Sequence, residues 1–414
     1  MYHQDFSDAL YEVLKKRLGE EDSSGNSGNV TITSSASSKR IKINSHCSSL
    51  KDVNDILDQL TISGDDRRDL FLKLTAKMSA NEQKWLTRII LKCLRVGLPD
   101  GQVLKLIHLD APDIFDVRMN LSEVIKIYTV DDNAQGGYCK SDHFKVKLFS
   151  PFKPMLAERE ALEKAADLLA GPFFIEPKLD GERCQFHYSA TEGIFKYFSR
   201  NGTEYTYLYG ANSTEGSLSP KIASERPFPD SVASVVLDGE MVVYDPLIDK
   251  FLPFGSLKTS AGARYDPGRS SNEPHPCLVI FDVVYWNGQS LLNWTLSERS
   301  ELLKREILIK PIKGFFELID RSELKTTVSD ITSALDSAVQ EQVEGLILKD
   351  PQSLYIPSHR SSHWIKIKPE YVGGMCDDLD LVVMGAWYGR AGNIKESYGK
   401  ANEFLCGVWT EEGR

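Results

Sequence analysis

Several features that would indicate a membrane, secreted or metal-binding protein are missing from this sequence. No uninterrupted apolar run approaches the roughly 18 residues that a membrane-spanning helix needs. The N-terminus has neither the basic flank nor the apolar core of a secretory signal. The 7 cysteines stand singly, and without a CxxC pair they indicate neither a zinc module nor a disulfide framework. We therefore expect a protein of a reducing compartment with no membrane partner.

Net positive charge is missing as well. The 414 residues include 49 Lys and Arg against 59 Asp and Glu, which gives a formal net charge of −10. This balance disfavours polyanion binding by the surface as a whole, but local basic patches decide whether a protein binds phosphates. Apolar residues make up 41% and charged residues 26%, as in globular proteins, and the length predicts two or three domains.

The hydrophobic pattern of residues 1–130 predicts an all-α domain. Apolar residues recur at helical spacing in residues 1–21 and again in residues 53–128. Ser79 precedes Glu82 by three positions, which is the signature of a capping box at a helix start.

Two polar segments interrupt the ordered pattern. A tract rich in Ser, Gly, Asn and Thr at about residues 22–42 has too few apolar residues to pack, and we predict a disordered loop there. Residues 131–150 are polar, contain Gly136-Gly137, and predict a linker between domains.

After the linker the pattern becomes α+β, with antiparallel sheets expected for residues 151–372. Residues 373–414 contain two further predicted strands, 379–387 and 403–409, and end early in what we expect to be a third domain. In the middle domain, the pattern predicts strands at 195–199, 235–244, 277–285, 345–349 and 364–368, and helices at 296–307 and 331–342.

One short stretch organises the middle domain: residues 176–183, with the sequence EPKLDGER. It lies between an apolar run at 172–175 and a second run at 184–188, which predicts a tight turn joining two strands. Lys178 in this turn is either an exposed lysine on a hairpin or a nucleophile at the floor of a pocket.

Four later stretches resemble one another, because each is a short strand with charged residues at its end. In the last of them, at residues 364–371, Lys366 and Lys368 alternate with apolar residues. Both lysines therefore point to one face and favour a shared anion such as a triphosphate. Glu240 and Glu344 are isolated carboxylates suited to Mg²⁺ bridged to phosphate. The stretches are SRNG at 199–202, LDGEM at 237–241, EGLILKD at 344–350 and WIKIKPEY at 364–371.

A lysine nucleophile must be neutral, whereas the ordinary pKa of lysine is about 10.4. Burial and neighbouring cations lower such a pKa. Arg183, Lys366, Lys368 and a bound Mg²⁺ would supply such a field around Lys178. Phosphoryl-type transfer then depends chiefly on positioning and charge neutralisation.

Each motif also has a purely structural interpretation. Asp238-Gly239 fits a hairpin turn, and Lys366 with Lys368 fits the solvated face of an edge strand. Glu344-Gly345 fits the end of a helix, and Phe281-Asp282 fits a plain core strand. The occurrence of all the motifs in one chain, in one order, favours the chemical interpretation.

The ordered motif set resembles the nucleotidyltransferase signature of ATP-dependent DNA ligases, RNA ligases and mRNA capping enzymes. The fuller wording at residues 176–183, 237–241 and 364–371 resembles the eukaryotic DNA ligase IV branch most closely. This resemblance implies a partial helical DNA-binding domain at 1–130, an adenylation domain at 151–372 and an incomplete OB-fold domain at 373–414.

The resemblance also implies roles for individual residues. Lys178 would be the adenylated nucleophile, and Phe281 would stack on the adenine. Arg200 would meet the nucleotide or a DNA 5′-phosphate. Glu240 and Glu344 would hold Mg²⁺. The remaining contacts implied are to the nucleotide, through Glu176, Pro177, Leu179 and Arg183, and to phosphates, through Lys349, Lys366 and Lys368.

As a whole, the resemblance implies an ATP-dependent DNA ligase of the non-homologous end-joining type, located in the nucleus and acting on nicked or broken DNA. The BRCT region that would dock a coiled-coil scaffold is not found in this sequence. The later OB motif is also missing, and for this reason we expect weak or no self-adenylation. The alternatives are an RNA-end nucleotidyltransferase (RNA ligase or capping enzyme) and a non-ligating DNA-binding fragment.

Overall fold

The protein is represented by a computed structural model. It describes residues 10–11, 13–15, 31–32, 41–42, 49–62, 67–76, 78–91, 97–129, 143–169, 171–253, 257, 272–369, 381–387 and 403–407. Contacts divide the chain into two compact units, Met1–Val103 and Leu104–Arg414. Most of the predicted linker and most of the segment assigned to the third domain lie outside the described residues.

The first unit is mainly helical, as predicted. Its helices are α1 (Leu50–Ile62), α2 (Arg67–Thr75) and α3 (Ala80–Ile90). The predicted capping box is confirmed: the Ser79 hydroxyl accepts a hydrogen bond from the Glu82 amide, while the Ser79 amide donates to the Glu82 carboxylate at 2.8 Å. Of the predicted helix at 1–21, the described residues are helical.

The all-α and disordered-loop predictions need a correction at one place. Two short strands, β1 (Thr31–Ile32) and β2 (Ile41–Lys42), form an antiparallel ladder inside the tract predicted to be disordered. Both strands contain an isoleucine, and this residue has high β-propensity despite the polar surroundings. The rest of the tract lies outside the described residues.

Three helices lie around the start of the second unit: α4 (Asp100–Ile107), α5 (Ala111–Arg118) and α6 (Leu121–Thr129). Helix α5 packs on the segment that leads into the sheets, because the amide of Lys153 donates to the carbonyl of Asp116 at 2.7 Å. Lys153 also forms an ion pair with the Asp116 carboxylate at 2.8 Å. Helix α5 therefore packs with the α+β region.

Two sheets form the body of the second unit. The larger sheet has the order β10-β9-β7-β5-β6, with β11 paired to β9 and β8 paired to β7. Its strands are β5 (Glu182–Ser189), β6 (Ile194–Ser199), β7 (Ser234–Asp245), β8 (Lys250–Leu252), β9 (His275–Trp286), β10 (Gln289–Ser290) and β11 (Phe316–Leu318).

The smaller sheet has the order β3-β13-β12-β4. Its strands are β3 (Leu156–Arg159), β4 (Phe174–Pro177), β12 (Leu346–Lys349) and β13 (Arg360–Ile367). The expectation of antiparallel sheets is wrong at two edges, since β11 pairs in parallel with β9 and β3 pairs in parallel with β13. Each parallel partner joins an edge after a long connection, which a hairpin pattern does not predict.

Helices complete the second unit. They are α7 (Leu162–Leu169), α8 (Thr206–Tyr209), α9 (Ser219–Glu225), α10 (Leu296–Leu302), which continues as a π-helical turn at Leu303–Ile307, and α11 (Val328–Gln340). Helices α7 and α11 share a core with the smaller sheet, in which Ile365 and Ile367 are fully buried. Among the described helices, none has the length and apolar character needed to cross a membrane.

The last described strands are β14 (Val382–Trp387) and β15 (Glu403–Gly407). They pair antiparallel, with a register shift between Val383 and Gly385. Both predicted C-terminal strands are therefore present.

Candidate active site

Lys178 lies where the chain crosses from one sheet to the other. Strand β4 ends at Pro177 in the smaller sheet, and β5 begins at Glu182 in the larger sheet. The amide of Lys178 donates to the carbonyl of Gly345 at 2.8 Å, which fixes the first residue of the crossing. The hairpin interpretation is thus wrong: β4 pairs with β12, while β5 pairs with β6 and β7.

Gly181 allows this crossing to lie directly on β7. A Cβ added at Gly181 would overlap the carbonyl oxygen of Met241 and would lie 2.8 Å from Cγ1 of Val242. Because the oxygen belongs to the backbone of a central strand, the strand has no freedom to yield. Glycine at this position therefore brings Lys178 within reach of the β7 residues.

A cavity of about 550 Å³ opens at the crossing. Ten of the twelve predicted site residues line it, and the other two, Glu344 and Lys368, connect to it through Lys178. The ten that line the cavity are Glu176, Pro177, Lys178, Leu179, Arg183, Arg200, Glu240, Phe281, Lys349 and Lys366.

The Lys178 side chain forms an ion pair with Glu344. Lys368 contacts the other oxygen of the same carboxylate at 2.8 Å. Burial opposes ionisation of Glu344, but hydrogen bonds from the two lysines hold its pKa below the ordinary value. One carboxylate thus holds the candidate nucleophile beside a second lysine.

Lys366 lies on the opposite side of the strand from the buried isoleucines, as its alternation predicts. Burial lowers its pKa, and the nearby cations Arg360, Lys178, Lys368 and Arg200 lower it further. Strand β13 lies between β3 and β12, so the edge-strand interpretation is wrong. Among the described residues no carboxylate forms an ion pair with Lys366, and such a group of cations favours a bound polyanion.

Glu176 forms the centre of a buried ionic cluster. Its Oε1 accepts from Nε of Arg321 at 2.5 Å, and its Oε2 contacts Nζ of Lys349 at 2.6 Å. All three side chains are at most 3% exposed. Burial lowers the pKa of Lys349, partly offset by Glu176. Glu176 and Lys349 therefore face the cavity as partners.

Arg183 is held by a buried carboxylate. Its Nε and Nη2 donate to the two oxygens of Asp238 at 2.6 and 2.5 Å, and the hydroxyl of Tyr355 donates to Asp238 at 2.5 Å. Burial favours the neutral form of Arg183, but Asp238 raises its pKa above the ordinary value. Asp238 and Gly239 lie within β7, so the hairpin-turn interpretation of this pair is wrong.

Phe281 lines the cavity and is 8% exposed. The guanidinium of Arg183 lies 4.6 Å and the ammonium of Lys349 lies 4.5 Å from the centre of its ring. These are cation–π distances. The neighbouring Asp282 forms a buried ion pair with Arg299, so this strand contains more than a plain apolar core. Stacking of Phe281 on adenine stays a prediction.

The fit of Mg²⁺ rests mainly on Glu240. Its carboxylate lines the cavity, no described residue hydrogen-bonds it, and burial raises its pKa to about 7. An oxygen-preferring cation would stabilise its ionised form. Glu344 already pairs with two lysines, so a role as metal ligand requires one of them to move. Within the described ranges, no group of three or more His, Cys, Asp or Glu forms a metal cage.

Sequence reasoning missed several residues of this region. Arg360 and Tyr205 line the cavity. Arg321 holds Glu176, which lines it, and Tyr355 holds Asp238, the partner of the lining residue Arg183. Arg360 begins β13, which starts four residues before the strand predicted at 364–368, so the predicted strand gave no signal for it. Arg321 and Tyr355 lie in loops, where no pattern indicates their partners.

Comparisons with known proteins agree with the motif analysis. A family model described as "ATP dependent DNA ligase domain" matches residues 154–368, and one described as "DNA ligase N terminus" matches residues 2–108. DNA ligase 4 of Homo sapiens is 36% identical over 369 residues, which cover 87% of this chain and 38% of that protein. DNA ligase 4 of Dictyostelium discoideum is 34% identical over 444 residues, covering 98% of this chain and 37% of its own.

A likeness also exists to a solved structure. The chain named "Pmar-Lig_PreS3" aligns with a TM-score of 0.50 and 17% identity, over 99% of this chain and 79% of its own length. This similarity concerns the fold alone. The chain spans 33% to 38% of the length of the curated relatives named DNA ligase 4. Because the ligase-domain model covers more than half of the residues and includes the whole cavity lining, the chain belongs to the ATP-dependent DNA ligase family.

Proposed function

We propose that this chain forms a covalent lysyl adenylate at Lys178 and serves the ATP-dependent joining of DNA strands. The observation that supports this most is the position of Lys178 at a cavity whose wall carries Lys366, Arg200 and Arg360. A triphosphate satisfies such a group of cations, and its α-phosphorus then lies within reach of a lysine.

In the first step, Nζ of Lys178 attacks the α-phosphorus of ATP. A nitrogen–phosphorus bond forms, the bond from the α-phosphorus to the bridging oxygen breaks, and pyrophosphate leaves with the bonding electrons. The ammonium of Lys178 must first lose a proton, and Glu344 is the carboxylate that already hydrogen-bonds it. Lys366 and Lys368 would stabilise the charge that develops on the phosphates.

In the later steps, AMP would pass from Lys178 to a DNA 5′-phosphate, and a 3′-hydroxyl would displace it. Arg200 is exposed at the cavity wall, where a phosphate from outside can reach it. Glu240, with Glu344 once a lysine has left it, would hold Mg²⁺, which when bound neutralises phosphate charge during transfer.

The name DNA ligase 4 among the relatives supports a role in non-homologous end joining. Nicked or broken double-stranded DNA as the substrate and the nucleus as the location are parts of the same proposal. We further propose that β14 and β15 are the first strands of an OB-fold domain. A coiled-coil scaffold would bind through a BRCT region, and we assign it no docking surface on residues 1–414.

The decisive experiment measures transfer of radiolabel from α-labelled ATP to the full chain. The sequence predicts weak or no labelling, whereas the proposal requires label on Lys178, identified by peptide mapping, and none on the Lys178→Ala variant. Lys313→Ala is the matched control, because Lys313 is 71% exposed and pairs with Asp249 away from the cavity. Undiminished labelling of Lys178→Ala, or no labelling of the unaltered chain, would refute the proposal. Labelling by GTP instead of ATP would favour a capping enzyme.

A further inference from the structure

Arg200 lines the cavity from a tight turn at the end of β6, formed by residues 199–203 and called here the Arg200 turn. The amide of Gly202 donates to the carbonyl of Ser199 at 2.9 Å, and the amide of Ser199 donates to the carbonyl of Thr203 at 2.8 Å. Arg200 is exposed, and no described residue binds its guanidinium by a hydrogen bond or an ion pair. The direction of this side chain therefore depends on how the turn itself is held.

The side chain of Met119, the residue that follows helix α5, packs on the Arg200 turn. A Cβ added at Gly202 would lie 2.9 Å from Cε and 3.0 Å from Sδ of Met119, and 3.5 Å from Cγ of Pro151. Gly202 has a φ of 74°, where residues with a Cβ are uncommon, so glycine permits both the turn and the close approach. The turn is thus covered by one side chain from the helical region and one from the segment that follows it.

Met119 is held in place by its own backbone and by the next segment. Its amide donates to the carbonyl of Phe115 at 2.7 Å, and its φ of 44° is a left-handed conformation that ends α5. The hydroxyl of Ser150 donates to the carbonyl of Arg118 at 2.9 Å. The end of α5 is therefore fixed to the segment that contains Pro151.

That segment is in turn bound to β5 by two fully buried polar side chains. The amide of Phe149 donates to Nδ1 of His187 at 3.0 Å, and the amide of Phe152 donates to Oε1 of Gln185 at 3.1 Å. Strand β5 pairs directly with β6, the strand that ends in the Arg200 turn. Met119 is thus anchored to the same sheet as the turn on which it packs.

From this geometry we infer that Met119 is a positioning residue for Arg200: its thioether holds the Arg200 turn so that Arg200 meets a DNA 5′-phosphate at the cavity wall. The inference rests on the proposed joining of DNA strands, because that function supplies the 5′-phosphate. It does not depend on transfer of AMP to Lys178, since it concerns the binding of DNA. The end of α5 then contributes to phosphate recognition through a side chain that carries no charge.

The test compares two nicked duplexes that differ only at the nick, where one carries a 5′-phosphate and the other a 5′-hydroxyl. The Kd of the full chain for each duplex is measured by fluorescence anisotropy at one salt concentration, in EDTA and without ATP, so that no transfer occurs. Contacts to the rest of the DNA backbone are common to both duplexes and cancel in the ratio of the two Kd values. A hydrogen bond to a charged group is worth about tenfold or more in affinity, so we expect the unaltered chain to prefer the 5′-phosphate by at least about tenfold.

In Arg200→Ala, this preference should fall to within about threefold, because the charged donor is lost. Met119→Asn should reduce it to the same extent, since asparagine tolerates the left-handed backbone but lacks the apolar thioether that packs on Gly202. Met119→Leu keeps an apolar side chain and should retain most of the preference. Leu247→Asn is the matched control, because Leu247 is 70% exposed and does not line the cavity. Thermal melting identifies any variant that does not fold, and Met119→Gly, which also suits the left-handed backbone, then takes the place of Met119→Asn.

The double variant of Arg200→Ala with Met119→Asn separates a positioning role from a structural one. If Met119 acts through Arg200, the double variant should have the same preference as Arg200→Ala alone, whereas independent effects would add. If Met119 only supports the fold, Met119→Asn would weaken the binding of both duplexes by the same factor and leave the ratio unchanged.

Four results would overturn the inference: an unchanged ratio in Met119→Asn, additive effects in the double variant, full loss of the preference in Met119→Leu, or no preference for the 5′-phosphate in the unaltered chain. A different result would refute the proposed transfer alone. In that case Lys178 would take up no label from ATP, while the preference for the 5′-phosphate would still depend on Met119. The two failures are therefore distinguishable.

Discussion

Replacing Arg299 by methionine should destabilise the catalytic region strongly and in a pH-dependent way. Arg299 in α10 and Asp282 in β9 are both fully buried, with contacts of 2.7 Å from Nε and 2.9 Å from Nη2 to the two carboxylate oxygens. After Arg299→Met, Asp282 keeps the amide of Val283, at 2.8 Å, as a donor. Removing one partner of a buried ion pair costs about 3–5 kcal/mol. For a domain of this size, the melting temperature should fall by about 6–20 °C.

The pH dependence follows from the pKa of Asp282. Burial opposes its ionisation, but Arg299 holds its pKa below the ordinary value in the unaltered chain. The stabilisation by this carboxylate is thus constant between pH 8 and pH 5 and is lost only at lower pH. Without Arg299, burial is opposed only by the weaker effects of Lys349, Arg321 and the Val283 amide, and it raises the pKa of Asp282 above that of the unfolded chain. The difference in melting temperature between the unaltered chain and Arg299→Met should therefore shrink from pH 8 to pH 5, because the carboxyl of Asp282 takes up a proton in the variant.

Scanning fluorimetry of both chains at pH 5, 6, 7 and 8 measures this deficit. Arg305→Met is the surface control, because an exposed pair such as Arg305–Glu301 contributes roughly 0–1 kcal/mol. The double variant Asp282→Leu with Arg299→Met should recover a large part of the lost stability, since no buried charge remains. A deficit below about 2 °C, or one that does not change with pH, would refute the reasoning.

Two further predictions concern the crossing and the thiols. Gly181→Ala should lower the rate of Lys178 adenylation at least about tenfold in single-turnover labelling, because the added Cβ displaces the crossing from β7. The melting temperature should fall by only a few degrees. An unchanged rate would contradict the close approach of Gly181 to β7. Burial raises the pKa of the Cys184 and Cys277 thiols, whereas Cys406 is exposed. Iodoacetamide at pH 8 should therefore modify Cys406 in the folded chain and reach the other two only after unfolding, as judged by peptide mass mapping.

Local patterns predicted the parts of the site that depend on neighbours in sequence. The alternation around Lys366 placed it on the face opposite the buried isoleucines, and the three-residue spacing from Ser79 to Glu82 gave the helix start. The strands were predictable because β-branched runs between turn residues fold as strands whatever their partners.

Partnerships between distant strands were not predictable in this way. The turn at Lys178 looks like a hairpin in sequence, because two apolar runs flank it closely. The two strands that flank it lie in different sheets, because β4 pairs with β12, about 170 residues later, and β5 pairs with β7. The contact of Arg321 with Glu176 spans 145 residues and leaves no periodic signal. Such contacts depend on the packed structure, which no local pattern records.

The ion pairs of the cavity favour the polyanion that the proposed function requires as a ligand. Glu344 holds Lys178 and Lys368, so a ligand must compete with one carboxylate for two cations. A carboxylate carries one negative charge, whereas a triphosphate carries several and can also meet Lys366, which has no carboxylate partner among the described residues. Binding of a triphosphate therefore replaces the ion pair between Lys178 and Glu344 by several charge-assisted hydrogen bonds, whereas an anion with a single charge would form few new hydrogen bonds in return. Under the proposed function, this exchange would free Lys178 from Glu344 only when the triphosphate has arrived.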